Sequence, residues 1–115
     1  MKSMTDFSFG DIVLVRFPFT NQTAFKQCPA VVISNRTYNQ GPPDVIIMAI
    51  RSQFRSPFIP GEALIDEWQN AGLLKPSVLK PVIATVEQSA VLKQLGGLQP
   101  ADMQTLREVI ALVIG

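Results

Sequence analysis

The sequence predicts a mainly β domain finished by a single C-terminal helix. Three observations carry that expectation. Short runs rich in β-branched and aromatic residues recur between Gly, Pro and Asn punctuation through most of the chain. One stretch near the end instead repeats its apolar residues at three- and four-residue steps. Apolar residues make up 47% of the 115 positions, enough for one compact core and hence one domain over residues 1–115.

Taken in order, residues 12–17 are apolar, bounded by Gly10-Asp11 before and Pro18 after, and read as a strand. Residues 30–34 and 45–50 read the same way. The polar connection 19–27 reads as a loop, and Asn39-Gln40-Gly41-Pro42-Pro43 marks a turn. Dense Pro and Gly after Arg51 argue against helix, leaving a short strand over 62–66. Residues 77–79 and 82–86 are again β-prone, and Pro81 between them removes a ladder donor, which requires an edge or a bend. Gly96-Gly97 breaks the chain. Pro100 then suits a first helical turn and Asp102 the positive end of a helix dipole, so a helix is expected over 100–114. Met103, Leu106, Val109, Ile110, Val113 and Ile114 form its buried stripe, with Gln104, Arg107, Glu108 and Ala111 facing away. Five or six short strands and one terminal helix make a small, strongly curved barrel or sandwich with the helix across an open side.

Composition also narrows the chemistry. A lone cysteine, Cys28, has no internal partner, and the chain contains no histidine, the commonest zinc ligand and neutral-pH general base. Metal chemistry and a Ser/His triad are therefore poor expectations, and neither a metal nor a cofactor is expected. No apolar run reaches the roughly 20 residues that span a bilayer, so the expectation is a soluble, cytoplasmic protein without membrane contact. The net charge of +1 conceals an asymmetry. Residues 12–58 hold Arg16, Lys26, Arg36, Arg51 and Arg55 against Asp44, a balance of +4; residues 59–115 balance to −2. Either the first region faces a polyanion or its cations simply solvate the surface.

The runs Gly10-Asp-Ile-Val-Leu-Val-Arg-Phe-Pro-Phe-Thr20, Pro29-Ala-Val-Val-Ile-Ser34 and Asp44-Val-Ile-Ile-Met-Ala-Ile50, with Ser52-Gln53 and the terminal Val113-Ile114-Gly115, resemble the MazF/PemK/Kid toxin family in order and spacing. The resemblance covers nearly the whole chain and is least securely placed over residues 67–75. It implies an SH3-like (CcdB/PemK-like) small barrel, a homodimer, and a metal-independent, sequence-selective endoribonuclease acting on single-stranded RNA. It also implies a cognate antitoxin whose C-terminal segment covers the RNA groove, and operator DNA bound through the toxin–antitoxin complex.

Such a reaction uses the RNA 2′-hydroxyl as nucleophile. The protein has to take its proton, stabilise negative charge on the pentavalent phosphorus, and protonate the leaving 5′-oxygen. The family does this with an arginine just before the Pro-Ala-Val-Val-Ile-Ser strand and a threonine just after the strand matching residues 45–50. Here those positions are Cys28 and Arg51. A neutral thiol cannot replace a bidentate, permanently charged group, and loss of one preorganised donor costs about 2.7–4 kcal/mol, a hundredfold to a thousandfold in rate. Arg51, with Ser52 and Lys26, is the candidate replacement, weighed against a solvated strand-end arginine. For Cys28 a half-buried, inert side chain is the better reading than a reactive thiolate.

Arg16, Lys26, Phe19 and Gln53 are candidate RNA contacts, and Phe17 and Phe25 are further candidates for base stacking or for the core. Trp68, in the acidic stretch 66–70, is expected to pack or to lie at an interface. Without histidine, Asp44 and Glu87 enter as candidate proton acceptors wherever they adjoin the groove. Two other readings stand beside the nuclease. One is a catalytically degenerate nucleic-acid or antitoxin-binding module; the other is a gyrase poison resembling CcdB.

Overall fold

The computed structural model describes residues 6–17, 26–41, 43–56 and 58–115, and of Phe17 and Lys26 only the backbone. Its elements are β1 (Asp11–Phe17), β2 (Lys26–Val32), α1 (Arg36–Gln40), β3 (Asp44–Arg51), β4 (Ala63–Leu64), β5 (Val78–Glu87), β6 (Val91–Gly97) and α2 (Pro100–Ile114). The strands form one antiparallel sheet in the order β4-β5-β3-β2-β1-β6. The mainly β fold with a terminal helix is as expected.

Alternation along the strands builds two cores. The pairs Ile12↔Val31, Val31↔Met48 and Met48↔Ile83 place four apolar side chains on one face. That face packs with Ile65, Leu73 and Leu98 against Leu106 and Val109 of α2. Val13, Val15, Ala30, Val32, Val45 and Ile47 gather on the other face with Phe7 and Val91. Burial on both sides explains why β3 reads as a continuous apolar run instead of an alternating one.

Closure occurs where the two sides of the sheet meet beyond its ladders. A Cβ built on Gly72 would lie 2.2 Å from the Leu95 carbonyl oxygen, and one on Gly96 would lie 2.2 Å from that of Ala71. Backbone therefore lies against backbone at this seam, and only glycine fits. Asp102 fastens the same region. Its carboxylate accepts from the Asp66 and Glu67 amides at 3.0 and 2.9 Å, so it is buried as a cross-link between α2 and the segment after β4 besides standing in the first helical turn.

Several elements differ from the sequence expectation. β2 starts at Lys26, inside the expected 19–27 loop, because Phe17, Arg16 and Val15 are there to pair with Lys26, Gln27 and Cys28. The expected 39–43 turn begins inside α1, which takes in Asn39 and Gln40 and is capped by the Asn35 side chain, which accepts from the Tyr38 amide. Asn39 is buried under it, donating to the Phe7 carbonyl and receiving the Ser34 hydroxyl. β4 has two residues where five were expected. β5 runs unbroken through Pro81 as a bent strand, with a register shift against β3 between Met48 and Ile50. β6 was not anticipated, and α2 leaves Val113 and Ile114 exposed instead of buried, Ile114 at 66%. Among the described residues no helix is long and apolar enough to cross a membrane.

Candidate functional site

The antiparallel order brings most of the predicted site residues to one end of the sheet. Arg16 is the next-to-last residue of β1, Lys26 to Cys28 open β2, and Arg51 closes β3, with Ser52 and Gln53 directly beyond it. Arg16 pairs with Gln27 and Val15 with Cys28. Among the described residues no ladder pair joins β2 and β3 beyond Ala30↔Ala49, so Cys28 and Arg51 share this end of the sheet on adjacent strands without pairing.

Their surroundings differ. Cys28 is half-buried and packs against the core cluster of Val13, Val15 and Ala30, in keeping with an inert small side chain. Arg16, Arg51, Ser52 and Gln53 are exposed. Neither Arg51 nor Arg55 has an ion-pair partner among the described residues. The fixed charge at this end without an ion-pair partner among the described residues therefore lies on Arg51, paired with Val78 of β5, and on Arg55 beyond it. Phe19 and Phe25 lie outside the described residues, and the side chains of Lys26 and Phe17 are likewise not described.

The +4 segment is not one patch. Arg36 sits at the opposite end of the sheet, 3.7 Å from Asp6. Asp44 and Glu87 face each other as partners at that same end, and Asp11 opens β1 there. Both candidate proton acceptors are thereby removed from Arg51. Trp68 packs on the helix-side core, as expected. Among the described residues no three of Cys, Asp and Glu converge as a ligand set.

One titration is perturbed. The Lys80 ammonium and the Ile59 amide both bond the Glu62 carboxylate, lowering its pKa below the usual 4.5. This pair braces the turn before β4 and lies away from Cys28.

Sequence reasoning passed over the segment after Gln53. Phe54, Arg55 and Phe58 are all exposed and follow Arg51 directly. The interleaving of aromatic and basic residues was the available signal.

A curved six-stranded antiparallel sheet with a terminal helix and a cationic strand end frames the site. A profile of the PemK-like, MazF-like toxins of type II toxin–antitoxin systems matches residues 8–114, and the chain belongs to that family. Its fold is that of a mycobacterial endoribonuclease solved with its cognate antitoxin, at TM-score 0.77 and 19% identity over 94% of each chain. The Mycobacterium tuberculosis toxin MazF-mt6 superposes at TM-score 0.74 with 19% identity, over 90% of this chain and 95% of that one. MazF of a MazE–MazF crystal structure from Deinococcus radiodurans gives TM-score 0.71 and 23% identity, over 94% and 92%. No curated protein sequence matches the chain.

Proposed function

We propose that the protein is a toxin that cuts single-stranded RNA without a metal ion, with Arg51 as the principal charged group of its site. The observation that supports this reading is the placement of Cys28 and Arg51 at the same end of adjacent strands. The guanidinium missing at one position of the family pair stands at the other. In the reaction, the RNA 2′-oxygen attacks the adjacent phosphorus and the bond to the 5′-oxygen breaks. The products are a 2′,3′-cyclic phosphate and a free 5′-hydroxyl. Arg51 stabilises the charge that builds on the phosphoryl oxygens, and Ser52 offers a neighbouring hydroxyl donor. Arg16, Lys26 and Gln53 hold the strand on either side.

Incubation of the purified protein with mixed-sequence RNA in EDTA tests the reading. Cleavage with cyclic-phosphate ends is expected, and intact RNA at high protein concentration overturns it.

The half-buried thiol at position 28 supports a second reading, in which the groove binds RNA or an antitoxin segment without cutting. Cleavage that appears only in the Cys28→Arg, Arg51→Thr double variant would favour this degenerate form.

The protein acts as a homodimer in the cytoplasm under this proposal. The apolar surface around the contact of Gly61, Pro81 and Val113, with Ile59, Val82, Leu112 and Ile114 exposed beside it, suits a second copy. A short antitoxin covering the Arg51 end would keep the toxin inactive, and the pair would bind operator DNA chiefly through the antitoxin.

A further inference from the structure

The segment after β3 exposes two phenylalanines that the core does not use. Phe54 and Phe58 are 39% and 36% exposed, and their rings meet with centroids 5.9 Å apart and planes at 68°. In an edge-to-face pair one ring lends only its edge, so its own faces stay open to a flat ligand. Arg51, Ser52, Gln53, Arg55 and Ser56 precede or separate them along the chain, all exposed. Both guanidiniums lack an ion-pair partner among the described residues, so the aromatic pair is flanked along the chain by two uncompensated cations.

Planar π faces beside fixed cations match one ligand chemistry above others, a single-stranded polynucleotide, whose bases stack while its phosphates seek the arginines. An acidic peptide would satisfy the guanidiniums and leave the ring faces without a flat partner. We propose that Phe54 and Phe58 are the stacking platform for one unpaired base of the RNA, with Arg55 holding a flanking phosphate. This rests on reading the Arg51 end as the RNA site. Phe54 is three residues from Arg51, at most about 11 Å along an extended chain. A base seated on it therefore sets which phosphate lies under the Arg51 guanidinium. The aromatic pair positions the substrate and determines cleavage specificity; it takes no part in bond breaking.

A mixed-sequence 2′-O-methyl oligoribonucleotide tests this, because it lacks the nucleophilic hydroxyl and stays intact. 2-Aminopurine, placed at each position in turn, reports stacking by loss of fluorescence. The wild-type protein is expected to quench it at one or two adjacent positions. Phe54→Leu and Phe58→Leu keep an apolar side chain and should fold normally. They are expected to lose the quenching and to bind about tenfold more weakly, within the range that base stacking contributes. Phe54→Tyr should retain it. Arg55→Ala should weaken all sequences alike and reduce the salt slope by about one, with quenching intact at saturation.

Absence of quenching at every position in the wild type overturns the platform. So does unchanged quenching in both leucine variants, or weakened binding of an acidic peptide alone. A wild type that stacks the base but leaves cleavable RNA intact refutes the nuclease and keeps the platform. A wild type that cuts RNA, with leucine variants of the same rate and cleavage pattern, refutes the platform and keeps the nuclease.

Discussion

Arg51 is a strand-end residue whose consequence depends on its neighbour two strands' worth of sequence away. If it stabilises the pentavalent phosphorus, Arg51→Ala should lower the cleavage rate at saturating RNA about a hundredfold to a thousandfold, far more than the single phosphate contact it removes from RNA affinity, a split that single-turnover kinetics resolves. Cys28→Ala should leave that rate unchanged, because the thiol packs against Val13, Val15 and Ala30. Glu62 makes a different prediction. Its folded pKa is depressed, so its contribution to stability is present above 4.5 and is lost as pH falls through the lower folded value. Glu62→Gln should flatten the decline of chemical-denaturation midpoints with acidification below that pH. At this scale the sequence was informative where identity alone decides the chemistry. The thiol at position 28 and the guanidinium at 51 were readable, and so was Trp68 as packing. That Asp44 and Glu87 share the far end was not, because only strand pairing places them there.

Elements were legible in proportion to how locally they are determined. α2 announces itself through Pro100, Asp102 and a helical apolar step, and its bounds are those the sequence predicts. Its last turn escapes the rule: Val113 and Ile114 are apolar on the predicted stripe yet exposed. β6 carries no two-residue alternation, and its pairing with β1 contains two register shifts, so nothing in its own residues marked it as a strand. β2 gained Lys26 and Gln27 from its partner, not from its own hydrophobicity. The five residues of α1 are too few to show a period. The closing seam yields a direct stability test. Gly96→Ala forces a methyl onto the Ala71 carbonyl and should cost about 1–3 kcal/mol. Gly72→Ala adds the strain of φ +93° to an equal clash and should cost more, about 2–4 kcal/mol. Equal urea midpoints for both variants and the wild type would refute the seam. Asp102→Ala strands two amides and should cost about 1–3 kcal/mol for the same closure.

The whole molecule is nearly neutral, yet its central strands carry more cations at one end and more acids at the other, Arg36 being the exception at the acidic end. Arg16, Arg51 and Arg55 stand at or beyond one end of the central strands, while Asp11, Asp44 and Glu87 mark the other. A net charge of +1 would give little reason to expect salt-sensitive RNA binding. The arrangement gives one. With Lys26 as a fourth cation, the logarithm of the RNA association constant should fall with the logarithm of salt concentration at a slope of about −3. Anisotropy titrations across a salt series measure it, and a flat line would place the RNA elsewhere. Light scattering should report a dimer that Leu112→Glu and Ile114→Glu disperse without loss of the monomer fold.

Synthesis gives the Gly72–Gly96 seam a further meaning, since a chain is made from its N-terminus. β1 to β5 leave the ribosome before anything exists to close them. Until Leu95 and Gly96 emerge, Ala71 and Gly72 have no backbone to lie against and β1 keeps a bare edge. The amides of Asp66 and Glu67 wait longer still, for Asp102. A nascent chain halted before that point is an open sheet, vulnerable to proteases and to pairing with other strands. The end of the sheet that holds Asp11 is closed only when Gly96 and Gly97 pair with β1, so an interrupted translation yields a fragment open on that side.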